Sequence, residues 1–183
     1  MSKATKAVTG ETTLSYVNLN APKAAQEGAK PKYSASVIIP KSDKDTLERI
    51  NKAIQAAYEE GESVLKGSGK SVPALDIIKT PLRDGDKERP DDEAYANSYF
   101  INANSINKPG IVDRAMNPII DTSEIYSGMK ARVSINFYAF NVNGNRGIAA
   151  GLGNVQKVAD GTPLGGSSKP EDDFEALDDD FLS

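Results

Sequence analysis

Polar and apolar residues alternate along most of this chain with a period of two, and in one place the period lengthens to that of a helix. Thr12 to Asn20 is rich in β-formers, with Leu14 and Tyr16 on one face and Val17 and Leu19 on the other, and predicts a first strand. A Pro/Gly/Lys connector from Ala21 to Pro31 leads into Lys32 to Ile39. There Tyr33, Ala35, Val37 and Ile39 alternate with Ser34 and Ser36, and Pro40 ends the run. Ser98 to Ile106 predicts a further strand, and Ile119 to Ile125 a brief one. The clearest lies between Met129 and Asn141, where Met129, Ala131, Val133, Ile135, Phe137 and Ala139 share one face. Lys130, Arg132, Ser134, Asn136, Tyr138 and Phe140 share the other. Asn143-Gly144 supplies a hairpin turn, and Arg146 to Val158 returns as a strand whose glycines at 147, 151 and 153 suit strong bending.

The helix is predicted from about Asp43 to Glu60, where Leu47, Ile50, Ile54, Ala57 and Tyr58 recur at helical spacing. Ser42 and Asp45 stand in the positions of a capping box, and Gly61 suits the residue after the last turn. The apolar stripe is narrow and the polar face mixed in sign, which fits packing against a sheet. Five or six strands, one helix, long loops and glycine kinks predict a mainly β fold with one helix, a small, partly open β-barrel; an open sheet backed by the helix is the alternative.

The 183 residues fit one ordinary domain. We place it at 11–161, after a flexible N-terminus at 1–10 and before a linker and acidic tail at 162–183. The chain has no cysteine and no histidine, which removes disulfides, Cys/His zinc sites, cysteine nucleophiles and histidine bases. No apolar run approaches the roughly 20 residues that span a bilayer, and the first residues lack a signal-peptide core, so a cytoplasmic protein without membrane contact is expected.

Charge is divided unevenly. From Lys169 onward there is one base against seven acids, so this end carries −6 while the total is −4 and residues 1–168 are left at +2. The tail also holds Phe174, Leu177 and Phe181, with Asp178, Asp179 and Asp180 before the last of these. A mildly basic body with an acidic, Phe-tipped tail points to a protein that handles a polyanion and carries a mimic of one.

Motifs of catalysis are weak. Gly67-Ser68-Gly69-Lys70-Ser71 has the end of a phosphate-binding loop, but Val64 occupies the position of its first glycine, and Val72-Pro73 follows where a helix should begin. Asp84/Asp86, Asp91/Asp92/Glu93 and Asp113 sit in loops and read as solvated charges, with a magnesium-dependent nuclease as the catalytic alternative. No cofactor, metal or enzymatic activity is expected. The charged stretch Arg83 to Glu93 reads as a surface excursion or as a flap that orders over a ligand, and it brings Lys79, Arg83, Lys87 and Arg89 near one another in sequence.

The outward face of Met129 to Asn141 differs in kind. Lys130 and Arg132 open it, and Tyr138 and Phe140 close it, so one strand offers cations for phosphates and rings for bases, the pair of features that single-stranded nucleic acid requires. Tyr99 or Phe100, Tyr16, Lys32, Lys79 and Arg83 are further candidates for the same groove.

Gly128 to Asn141 (GMKARVSINFYAFN), Arg146-Gly147-Ile148, Gly151 to Val158, Asp160-Gly161 and Asp178-Asp179-Asp180-Phe181 resemble the phage-encoded single-stranded DNA-binding proteins, which have an OB-fold core and an acidic tail ending in an aromatic residue. The resemblance implies sequence-independent binding and protection of single-stranded DNA in phage replication or recombination, in the cytoplasm of the host cell. It also implies a tail that contacts a polymerase, helicase or recombinase or competes with DNA, with Phe181 as its anchor and Phe174 and Asp178 to Asp180 as its other contacts. A homodimer is compatible with it. The chain has no tryptophan, so stacking falls to Tyr and Phe, and Leu182 and Ser183 follow the terminal aromatic. The alternative function is an acidic-tailed interaction or inhibitor protein that does not bind DNA.

Overall fold

A computed structural model of the protein describes residues 3–164 and 174–177. Along the chain run β1 (Lys6–Val8), β2 (Thr12–Lys23), β3 (Lys32–Pro40), α1 (Lys44–Glu60), α2 (Glu62–Lys66), β4 (Arg83–Asp84), α3 (Gly85–Glu88), β5 (Ser98–Ser105), β6 (Ile111–Val112), β7 (Lys130–Val142) and β8 (Asn145–Ala159). Strands β2, β3, β5, β8 and β7 pair in that order, and β7 pairs again with β2, which closes a five-stranded barrel. Every pair in the ring is antiparallel except β5 with β8, joined in parallel at Asn104 and Gly151. This is the OB-like barrel that the resemblance implies.

The alternation of β7 places Met129, Ala131, Val133, Ile135 and Phe137 in the barrel core, all nearly inaccessible, together with Val37, Ile39, Ile101, Ile148 and Val155. Strand β2 departs from simple alternation. Its register with β3 shifts between Ser15 and Asn18, and Tyr16 takes a left-handed φ of 48°. The extra residue inverts the parity, so Leu14 and Leu19 both point inward while Tyr16 turns out, 57% exposed. Alternation alone pairs Leu14 with Tyr16; the bulge separates them.

Residues 1–10 are expected to be loose, yet Lys6–Val8 pairs with Asn136 to Ser134 of β7. Thr9 secures it: its amide donates to the Val133 carbonyl, and its hydroxyl accepts from the Val133 amide at 3.0 Å. Because β2 pairs with β7 only at Thr12 and Thr13, β1 satisfies backbone groups that β7 would otherwise leave open.

Helix α1 packs Ile50, Ala53, Ile54 and Ala57 beside β1 and β7. Its cap is Asp43, which accepts from the Thr46 amide and hydroxyl at 3.2 and 2.6 Å, one residue later than the Ser42 expected from sequence. Gly61 ends it with an ordinary φ of −98°; glycine is required there because a Cβ would lie 2.3 Å from the Ala139 Cβ. The strand expected at Ile119 to Ile125 is replaced by a 3₁₀ turn at Thr122–Glu124, capped by the Asp121 carboxylate.

After β8 the chain is strapped beneath the barrel. Leu164 donates its amide to the Ser127 carbonyl at 2.9 Å, and the buried Lys157 ammonium bonds Glu124 and Asp160, each at 2.7 Å. Burial disfavours the charged form of Lys157, but the hydrogen bonds to Asp160 and Glu124 outweigh it and hold its pKa above the usual lysine value. Among the described residues no helix is long and apolar enough to cross a membrane.

Candidate nucleic-acid interface

The outer face of the barrel where β3, β5, β8 and β7 lie side by side carries small residues. Ser34 and Ser36 of β3 stand opposite Asn104 and Asn102 of β5, Asn104 stands opposite Gly151 of β8, and Gly151 stands opposite Asn136 of β7. Ser36 is buried beneath Tyr95, whose hydroxyl donates to it at 2.9 Å; the rest of this floor carries no bulky side chain and is a channel, formed by two clefts that share Asn104.

The first cleft, about 580 Å³, lies between the floor and the β2–β3 connector, and Lys23, Lys30 and Lys32 line it beside Asn18 and Ser34. Lys23 and Lys32 are direct cross-strand partners. Like charges in that relation repel, so the pairing favours an anion placed between them. The second cleft, about 640 Å³, is lined by Lys79, Arg83, Asn102, Phe140 and Ala149, among others. Tyr138, 46% exposed, stands opposite Ala149 and lies against Gly151, where a Cβ would be 3.7 Å from its ring. The channel thus has cations at each end and aromatic rings beside a small-residue floor.

Lys79 reaches this place through a strap. Its carbonyl accepts from the Ile148 amide at 2.8 Å, and its amide donates to the Arg146 carbonyl at 3.3 Å, which lays the segment directly over Gly147. A Cβ at position 147 would come within 2.5 Å of the Lys79 carbonyl and 2.9 Å of the Phe140 ring. Glycine therefore permits the close approach that brings Lys79 beside Phe140.

The flap from Arg83 to Asn97 forms the remaining rim. Its base is the pair Tyr95 and Phe100, both fully buried, with ring centroids 5.0 Å apart in an edge-to-face arrangement. Above them the Arg83 guanidinium lies 5.3 Å from the Phe100 centroid. The Arg89 guanidinium lies 5.2 Å from Tyr95, 5.2 Å from Tyr16 and 5.6 Å from Phe100. Arg89 also donates to the Tyr16 hydroxyl at 3.3 Å, and Arg83 donates to Glu88 at 2.8 Å through Nε. Phe100 is thus a support for the arginines, not a surface for bases. Tyr99 lies on the other side of β5, 5.1 Å from the Lys41 ammonium.

A family model described as "Enterobacter phage Enc34, ssDNA-binding protein" matches residues 5–182. The chain belongs to this family. It is 30% identical over 154 residues to putative protein p50 of Acyrthosiphon pisum secondary endosymbiont phage 1, covering 80% of this chain and 79% of that protein. Among solved structures, the single-stranded DNA-binding protein of bacteriophage Enc34 in complex with ssDNA is 25% identical and superposes with a TM-score of 0.70, covering 89% of this chain and 91% of that one. The fold is also shared with gp2.5, a single-stranded DNA-binding protein encoded by bacteriophage T7, at a TM-score of 0.64 and 17% identity over 93% of this chain and 94% of that one.

Against this Enc34-type barrel, the sequence candidates divide into two groups. Lys32, Lys79, Arg83, Phe140, Tyr138 and Tyr16 line or adjoin the channel and its rim. Lys130 and Arg132 do not: they lie on the same face of β7, but eight residues separate Lys130 from Tyr138, about 27 Å along a strand. The Lys130 ammonium donates to Thr13 at 2.6 Å, and Arg132 donates to the Thr9 carbonyl and to Gln156 at 3.2 and 3.3 Å. Phe174 is 75% exposed; Asp178, Asp179, Asp180 and Phe181 lie outside the described residues. Sequence reasoning passed over Lys23, Lys30, Asn102 and Asn104. The lysine-rich connector was a signal for the first two, whereas the asparagines look like any polar strand positions. Gly67 to Ser71 forms a turn after α2, and no group of acids placed to hold a metal is found among the described residues.

Proposed function

We propose that the protein binds single-stranded DNA without sequence preference along the channel across β3, β5, β8 and β7, and protects it during phage replication or recombination in the host cytoplasm. Lys23, Lys30, Lys32, Lys79, Arg83 and Arg89 neutralise phosphates, and Tyr138, Phe140 and Tyr16 stack bases. The observation that carries this reading is the channel itself: cations at both ends of a small-residue floor flanked by rings, in a chain of the Enc34 ssDNA-binding family. Family membership and the chemistry of the site support binding in preference to catalysis. The barrel, with β1 at its start and Leu164 bonded to Ser127 at its end, is the binding domain, and the acidic tail after it engages a polymerase, helicase or recombinase and competes with DNA for the channel.

Titration of a fluorescent oligo-dT tests this. Affinity should fall with salt with a slope near −0.7 for each phosphate neutralised. No binding, or a salt-independent signal, would overturn the proposal in favour of the acidic-tailed interaction protein.

A further inference from the structure

The flap from Arg83 to Asn97 contains six acids and three bases, a net −3 on the rim of a channel suited to a polyanion. Coulomb's law makes that a disadvantage for binding DNA. The geometry gives the acids another task. Asp84 and Asp86 both bond the Lys41 ammonium, at 2.9 and 2.8 Å, at the end of β3. Asp84 also accepts from the Asp86 amide at 3.0 Å as the cap of α3, and Asp86 accepts from the Asn97 amide at 3.0 Å, closing the far end of the flap. The backbone repeats the tie, with the Lys41 amide donating to the Asn97 carbonyl at 2.9 Å. Beneath the clasp Gly85 is buried so tightly that a Cβ would meet the Tyr95 carbonyl at 2.4 Å. Arg83 precedes the clasp by one residue and Arg89 follows it by three, and both guanidiniums are set over the same buried Phe100 ring.

We infer that Asp84 and Asp86 are positioning residues for single-stranded DNA: through Lys41 they fix the flap so that Arg83 and Arg89 are held at the channel before the ligand arrives. The inference rests on the proposed DNA-binding reading. Preordering matters because an arginine that must be immobilised on binding contributes less than one already in place.

The test turns on a sign. Asp84→Asn with Asp86→Asn removes two negative charges near the channel and frees the Lys41 cation, so charge alone predicts tighter oligo-dT binding. A broken clasp predicts weaker binding, by about tenfold for two arginines that must be ordered anew. The salt slope is the second readout. If the arginines no longer reach phosphates, its magnitude drops by up to about 1.4, although no cation was removed. A general loss of stability leaves that slope unchanged in the folded protein. Circular dichroism and thermal unfolding establish a temperature at which both proteins are folded; if the double variant does not fold, Asp86→Asn alone, which keeps the α3 cap, is measured instead. Tighter or equal affinity in the variant, with wild type binding normally, overturns the inference. Failure of wild type to bind oligo-dT overturns the DNA-binding reading itself.

Discussion

The Arg89 guanidinium sits 5.2 Å from the Tyr16 ring centroid and donates to its hydroxyl at 3.3 Å, joining the flap to the bulge of β2 across 73 residues of sequence. Because Arg89 also lies near Tyr95 and Phe100, it is held by three rings and reaches the rim with little freedom left to lose. Arg89→Ala is expected to weaken oligo-dT binding and to reduce the magnitude of the salt slope by about 0.7. Arg89→Lys keeps the charge but loses the planar contact, so its slope should stay near wild type while its affinity falls. Equal affinity for all three proteins would remove Arg89 from the interface.

Tyr138 and Phe140 adjoin the channel, whereas Lys130 and Arg132 are engaged with Thr13, Thr9 and Gln156. Tyr138→Ala and Phe140→Ala should each cost about 1–3 kcal/mol of binding free energy, the range for a stacked base. Arg132→Ala should leave oligo-dT affinity nearly unchanged and cost about 1 kcal/mol of stability, since its bond to Gln156 is exposed and that to the Thr9 carbonyl is only partly buried. Titrations at one fixed salt concentration, with thermal melts, separate the two outcomes; a loss confined to Arg132→Ala would move the interface to the other end of β7.

Gly147→Ala places a methyl group against the Lys79 carbonyl and the Phe140 ring. The strap must shift to make room, at a cost of about 1–3 kcal/mol. A lower midpoint in thermal unfolding together with weaker oligo-dT binding is expected, and an unchanged midpoint would show that the strap yields freely.

The acid side of the stability profile follows from carboxylates. Asp84 and Asp86 are held below the ordinary carboxylate value chiefly by hydrogen bonds from Lys41, and Asp160 chiefly by that from Lys157. Groups with depressed values stabilise the fold fully above the unfolded pKa of 3.8 and lose that contribution as pH falls through the folded values. With no histidine to titrate between, the thermal midpoint should be flat from pH 7 to 5 and decline below about pH 4. A decline beginning near pH 6 would contradict it.

Removal of residues 170–183 deletes seven carboxylates tethered to the barrel. At low salt, where tethered charges compete most strongly, the truncated protein should bind oligo-dT more tightly, and the difference should fade as salt rises. Phe181→Ala keeps the charge, so it should preserve that competition while weakening capture of a replication partner in pull-down. Unchanged DNA affinity on truncation would confine the tail to partner binding.

Much of the barrel was legible in the order of residues, because a strand reports its two faces locally. Alternation from Met129 to Asn141 was sufficient to say which side chains of β7 enter the core, and the absence of cysteine and histidine with the acidic, Phe-tipped end narrowed the chemistry before any fold was known. Alternation does not say which outer faces become neighbours. That Asn104 lies opposite Gly151, and that Tyr138 joins the channel while Arg132 does not, are results of barrel closure between residues far apart in sequence. A single inserted residue at Tyr16 reversed the parity of β2, and only the pairing with β3 reveals it. The flap was legible as a charged loop, but which of its charges hold it in place and which face the channel was decided by Lys41, some forty residues upstream, and by the buried rings of Tyr95 and Phe100.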